Sequence, residues 1–415
     1  IAPQIIFGSM GAKGKLPVSI DDEFKVNEGI ETLEIKRLGF SIPENVGMNS
    51  KVLTKIDSIA NYAISKKMTP GIQVVVARKG KVIYQKSFGN HTYESTQKVN
   101  NTDVYDIASL TKIVATLPNV MQEFDQGHLT LETKLKTMLP EAKNSNKANA
   151  TVLDMLTHQA RFQPWIPFYK ATLDSLNRPS THFYRSEFSD EFPVHVADKL
   201  YLRKNYNDTI VKTILDSELL PKKQYKYSDF TFILFKEYLE LHNKKSLEDL
   251  AHANFFEPLG ANSIMYNPLR KMNANRIIPT ENDNYFRHQI VQGYVHDMAA
   301  AMQGGISGHA GLFANALDVA KVMQMFLQKG SYGGRTYISE STFNIFNTCY
   351  FCKDGNRRGV GFDKPQLGNE GPTCGCVSLT SFGHTGFTGT MTWADPEKEI
   401  VYVFLSNRTF PDSNA

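Results

Sequence analysis

The sequence predicts an α+β fold: an antiparallel sheet from strands near both ends of the 415-residue chain, flanked by helices, with a mostly helical insert around 110–315. Two pairs of strand-like runs, each joined by a short polar turn, lie about 300 residues apart in the chain and supply the sheet. Between them the apolar residues recur mainly at helical spacing.

In chain order, residues 1–48 read as a linker or tail, with Gly8, Gly11 and Gly14 followed by a charged stretch from Asp21 to Arg37. The folded unit is expected over 49–415. Asn49-Ser50 offers an N-cap, after which Val52, Ile56, Ile59, Ala60, Ala63 and Ile64 share a helical face that Pro70-Gly71 ends. Ile72–Ala77 and Val82–Phe88 flank Arg78-Lys79-Gly80-Lys81, a hairpin signal. Helical patterns follow over Ile107–Phe124, Phe230–Leu241 and Ala316–Leu327. The second hairpin pairs Thr390–Ala394 with Ile400–Ser406 around Asp395-Pro396-Glu397-Lys398.

Lys plus Arg number 46 against 42 for Asp plus Glu, a net charge of +4 that gives no footing for nucleic acid or a membrane surface. No apolar run approaches the roughly 20 residues of a spanning helix. A small molecule is the expected partner. The chain opens on Ile1 without a signal-peptide pattern, and reads as cut from something longer. Four cysteines, Cys349-x-x-Cys352 and Cys374-x-Cys376, fit a structural zinc site, two disulfides clipping a loop, or free thiols. None of these readings is catalytic. With no His-Glu-x-x-His run, no catalytic metal or cofactor is called for.

The chemistry is expected at Ser109-Leu110-Thr111-Lys112, which opens an apolar helical run. Residues three apart share a helix face, so the hydroxyl and the amine meet. A Lys desolvated among Ile107, Ala108, Ile113 and Val114 is expected to have a lowered pKa and to accept the Ser proton. Free N–H groups at the helix N-terminus would favour the alkoxide. A second copy, Ser95-Thr96-Gln97-Lys98, lies in the polar stretch Asn90–Asn101 and reads as solvated loop. Tyr227-Ser228-Asp229 stands directly before the apolar run Phe230–Phe235, which would present a phenol as proton relay. His384-Thr385-Gly386 leads into a strand, where the N–H of Phe387 would join that of Ser109 in an oxyanion hole, with His384 facing the pocket.

Together, in this order, the three elements resemble the serine penicillin-recognising family of class C β-lactamases, D-Ala-D-Ala carboxypeptidases and related esterases, over residues 50–408. The resemblance implies an acyl-enzyme hydrolase acting on a small acyl substrate through Ser109, Lys112, Tyr227 and Phe387. It also leaves room for a binding module of weak or no turnover. Leu156-Thr157-His158 and Gly304–Leu312 resemble the family too, and His158 and His309 read as scaffold or pocket wall. The run Ala2–Ile20 resembles the closing segment of family 3 glycoside hydrolases, which implies an upstream glycosidase domain in the same polypeptide and, by analogy, a periplasmic or cell-surface location.

Two departures concern charge. The family's second box commonly ends in Asn, here Asp229; its third commonly begins with Lys, here His384. Both make the pocket less welcoming to an anion, and at ~4 Å with an effective dielectric of ~20 a unit charge is worth on the order of 4 kcal/mol. Esters or amides, including peptidoglycan-derived ones, are therefore expected ahead of β-lactams. An ionised Asp229 beside Lys112 would keep that Lys protonated and shift work to Tyr227. The aromatic stretch from Arg161 to Asn205, with Trp165, Phe168, Tyr169, Phe183 and Tyr184, is expected as a pocket wall or lid.

Overall fold

The computed structural model describes residues 2–8, 10–366 and 371–413. Its centre is a six-stranded sheet of β1 (Gly39–Phe40), β2 (Gly71–Arg78), β3 (Lys81–Gly89), β4 (Phe382–Gly386), β5 (Thr390–Asp395) and β6 (Ile400–Ser406), in the order β1-β3-β2-β6-β5-β4. The β2–β3 hairpin turns through Lys79 and Gly80 at φ 51° and 70°, a primed turn in which Gly80 avoids the Cβ clash of left-handed backbone. β6 lies antiparallel to β2 from Ile400↔Arg78 to Ser406↔Ile72, and so joins the two ends of the unit. β1 runs parallel to β3, and with the buried Val46 it brings part of the expected linker into the folded unit, ahead of residue 49, because these residues pair with and pack on the sheet; the described residues before β1 are largely exposed.

The sheet is apolar on both faces because both are covered. On one side lies α1 (Ser50–Ser65), whose Asn49 cap accepts from the Lys51 and Val52 amides; Leu53 and Ala60 pack with Ile72, Val74 and Val76. On the other lies α4 (Ala316–Leu327), capped by Asn315, with Val319, Val322, Met323 and Phe326 buried with Val75, Ala77, Val401 and Val403.

Between the hairpins run α2 (Leu117–Asp125) and α3 (Phe230–Asn243). Every residue from Phe230 to Phe235 is almost fully buried, so this helix is the core of the insert. The insert is less purely helical than its periodicity suggests: Tyr184–Arg185, Val194–Ala197 and Leu200–Leu202 form a small sheet, and Glu281–Asp283 pairs with Gln289–Val291. These strands are two to four residues long, too short to show a period. The cysteines form the two disulfides that are one of the expected readings, and they correct the zinc and free-thiol readings and the idea of a clip across the loop. Cys349 is bonded to Cys352 and Cys374 to Cys376, each within its own pair, so no thiolate is left for a metal and neither bond spans the loop. Among the described residues no helix is long and apolar enough to cross a membrane.

Candidate active site

Ser109 sits in a tight turn that Asp106 builds. One carboxylate oxygen of this buried Asp accepts from the Ala108 N–H at 2.8 Å and the other from the His296 N–H at 2.6 Å. Ala108 is forced to φ 46°, an unfavourable region for a residue with a Cβ, held here at the residue before the nucleophile. The chain then enters one wide, π-helical turn, Lys112–Thr116, which continues as α2. The expectation of free helix N–H groups is corrected: the amides of Leu110, Thr111 and Lys112 bond back to Ile107, Ala108 and Ser109 carbonyls. The Ser109 N–H and the Phe387 N–H donate to no acceptor among the described residues.

Phe387 is brought to Ser109 by hydroxyls in the turn and strand that follow it. Thr388 Oγ1 donates to the Asp106 carbonyl at 2.8 Å and Thr390 Oγ1 to the Ile107 carbonyl at 3.1 Å. Gly386 permits this approach, since a Cβ there would collide with Thr390 Oγ1 and the Ile107 carbonyl. Thr385 is exposed at the strand end, and Phe387 is 54% exposed.

Lys112 Nζ donates to Ser109 Oγ at 2.8 Å and to the His309 carbonyl at 3.0 Å, and pairs with Asp229 Oδ1 at 2.8 Å. Three acceptors for three N–H groups is the environment of an ammonium. This overturns the lowered pKa expected from desolvation and agrees with the alternative expectation for Asp229: burial does push the amine down, but the Asp229 carboxylate, with the Tyr227 hydroxyl beside it, outweighs it, and the net shift is upward. Tyr227 Oη donates to Ser109 Oγ at 3.1 Å, and its ring lies 5.2 Å from Lys112 Nζ. Burial raises the phenol pKa, and Lys112 only partly opposes it. Ser109, Lys112 and Tyr227, drawn from stretches 118 residues apart, thus share one cluster.

His158 is scaffold. Its Nδ1 accepts the Ser228 N–H at 3.3 Å, and its ring packs 4.7 Å from that of Tyr227. Burial drives its pKa well down, so it stays neutral. His384 corrects another expectation: it is 2% exposed and lies behind Tyr227, ring centres 5.9 Å apart, with Nδ1 near the Thr385 carbonyl. It does not line the cavity, and burial brings its pKa down to about 4.

That cavity, about 340 Å³, is lined by Ser109, Tyr227, Asp229 and Phe387 together with Trp165, His296, Asp297, Met298 and His309. From the aromatic stretch only Trp165 reaches it; Phe168, Tyr169 and Tyr184 are buried in the core. Asp297 escaped the sequence reading because its pattern is only that of a helix cap, accepting from the Ala300 N–H at 2.8 Å. It also faces His309 Nε2 at 2.8 Å, and His309 Nδ1 meets Ser307 Oγ at 2.8 Å. Burial would raise the Asp297 pKa, yet His309 holds it well below the usual carboxylate range. Among the described residues no Arg or Lys lines the cavity; Arg408 stacks on Phe387 at 5.1 Å, outside the lining.

A family model described as Beta-lactamase matches residues 60–415. An Escherichia coli K12 protein provisionally named a D-alanyl-D-alanine carboxypeptidase is 26% identical over 396 residues, 89% of this chain and 85% of that protein. The N-acetylmuramyl-L-alanine amidase of Bacillus subtilis 168 is 27% identical over 395 residues, 88% and 83% of the two chains. Among solved structures, EstCE1, described as a hydrolase with promiscuous acyltransferase activity, superposes with a TM-score of 0.63 at 17% identity, covering 86% of this chain and 93% of its own.

Proposed function

The chain belongs to the Beta-lactamase family of hydrolases, and from that premise we propose that it is a serine amidase that forms an acyl-enzyme at Ser109 with peptidoglycan-derived amides. The observation that carries this reading is a Ser hydroxyl held by Lys112 and Tyr227 at a cavity walled by Asp229 and Asp297, with no Lys or Arg in its lining among the described residues. A D-Ala-D-Ala substrate and a β-lactam both carry a carboxylate close to the scissile bond, where it would meet those two Asp side chains. An amide between a muramyl acyl group and L-alanine is neutral there, and its acidic groups lie further along the peptide. Arg408 at the rim suits them. The name of the Bacillus relative supports the same choice.

In this reading Ser109 Oγ attacks the amide carbonyl, whose oxygen is received by the N–H groups of Ser109 and Phe387. The Ser proton passes to Lys112 as Lys112 releases one to Asp229, so the carboxylate is the net acceptor. Asp229 is placed for this by its 2.8 Å contact with Lys112 Nζ. Tyr227 protonates the leaving amine and is reprotonated through Lys112. Water then takes the amine's place and hydrolyses the ester along the reverse proton path.

We extend the proposal to the remaining organisation. The unit takes in β1 from Gly39, and the resemblance of Ala2–Ile20 supports a glycosidase unit upstream, in a polypeptide working on cell-wall fragments outside the cytoplasm. The test is product analysis with a muramyl peptide, a D-Ala-D-Ala peptide and a chromogenic cephalosporin offered separately. Release of a stem peptide with a free L-Ala amine, faster than the other two reactions, is expected. Faster release of D-Ala or faster cephalosporin opening would refute the amidase assignment.

A further inference from the structure

At the end of α2 and α3 remote from Ser109, three potential ligand atoms converge without a role in the chemistry above. Glu123 is on α2, His128 just beyond its end, and His242 in the last turn of α3. His128 Nδ1 lies 2.9 Å from Glu123 Oε2, His242 Nε2 3.3 Å from the same oxygen, and the two nitrogens 3.2 Å from each other. Tetrahedral ligands on bonds of about 2.05 Å are about 3.3 Å apart, so this triangle matches one face of a zinc tetrahedron.

The surroundings are those of a metal site. Glu123 is 4% exposed; its other oxygen, Oε1, accepts from Asn243 Nδ2 at 2.9 Å, while Oε2 faces the imidazoles and also accepts from Tyr238 Oη at 3.5 Å. The Tyr238 ring stacks on His242, ring planes 20° apart, and fixes its orientation. The two ring nitrogens, 3.2 Å apart, share a hydrogen bond when one carries the proton, and with both deprotonated their lone pairs and Glu123 Oε2 converge on the space a cation would fill. The two imidazoles are 43% and 40% exposed at their side chains, so an ion can enter and keep water in its fourth position.

We propose that Glu123, His128 and His242 bind one divalent ion of the Zn²⁺ type, two nitrogens and a carboxylate being a donor set that suits it and disfavours Mg²⁺ or Ca²⁺. The ion would not touch substrate, since 11 residues of helix between Lys112 and Glu123 span about 16 Å. It joins the C-terminal ends of α2 and α3; the π-helical turn that feeds α2 starts at Lys112, and Tyr227–Asp229 lead directly into α3. The ion is therefore a brace that holds the two halves of the active site in register.

The test is titration of the metal-free, untagged chain with Co²⁺, read by its visible d–d absorption, followed by Zn²⁺ displacement and thermal melts. One Co²⁺ per chain is expected, displaced by Zn²⁺, with a melting temperature that rises with Zn²⁺ concentration. H128A and H242A should each weaken binding by about tenfold or more. Glu123→Gln keeps the shape of the buried side chain while removing its charge, and should also weaken binding if the His variants fold poorly. Absence of a d–d band, or equal uptake by wild type and the variants, would overturn the site.

Discussion

Ser95–Lys98 and Ser109–Lys112 have the same spacing and lie 14 residues apart, yet the chain treats them differently. Ser95 Oγ accepts from the Gln97 N–H, and Lys98 is exposed on a polar loop. Ser109 Oγ receives Lys112 Nζ, which is wholly buried, and a Tyr hydroxyl from 118 residues away. The difference teaches that spacing supplies only the possibility of contact. The strained turn at Ala108, the Asp106 anchor and the walls from α3 and β4 give one copy a buried Lys and a Tyr hydroxyl as partners and leave the other as surface.

The largest break in that comparison comes from the nucleophiles. Ser109→Ala should lower kcat by about 10⁴-fold or more, whereas Ser95→Ala should leave it unchanged, both measured on the amide substrate at saturation. Next come the amines: Lys112→Ala should cost about 10²- to 10⁴-fold in kcat, and Lys98→Ala nothing measurable. A smaller effect sharpens the role of Asp229. In Asp229→Asn the desolvation of Lys112 is no longer opposed by that carboxylate, so its pKa falls and it becomes the net base itself. Amidase activity should then persist at about a tenth of wild type, with the acidic limb of the pH–rate profile moved upward, and acylation by cephalosporins should rise by about tenfold as the cavity loses an anion.

The smallest effect tests the wall behind Tyr227. Burial holds the His384 pKa at about 4 against an ordinary 6.5. Between those values the unfolded chain binds a proton that the folded chain does not, so this group makes stability rise with pH across the window and fall away as the pH drops from 6.5 to 4. Denaturant unfolding of His384→Asn should show up to about 3 kcal/mol less of this pH dependence than wild type.

Much of this arrangement is legible in the residues because local signals and packing agree. The Lys79-Gly80 turn, the Asn49 cap and the long apolar faces of α1 and α4 announce themselves, since each is decided within a few residues. The orientation of His384 is not legible: a strand's alternation puts it on one face, but only tertiary packing shows that the face lies behind Tyr227. Asp297 wears the pattern of an ordinary cap, and its second partner, His309, is 12 residues on. The charge state of Lys112 turned on a single distance to Asp229, which spacing cannot supply. Glu123 and His242 are 119 residues apart on separate helices, so no short motif marks them.

On the proposed mechanism Ser109 alone, of the two Ser-x-x-Lys serines, is an activated nucleophile. Reaction of the folded chain with a fluorescent phosphonate, followed by peptide mass spectrometry, tests it directly. One adduct per chain on Ser109, none on Ser95, and none anywhere in Ser109→Ala is the predicted result. An unlabelled wild-type chain, or an adduct that survives Ser109→Ala, would contradict it.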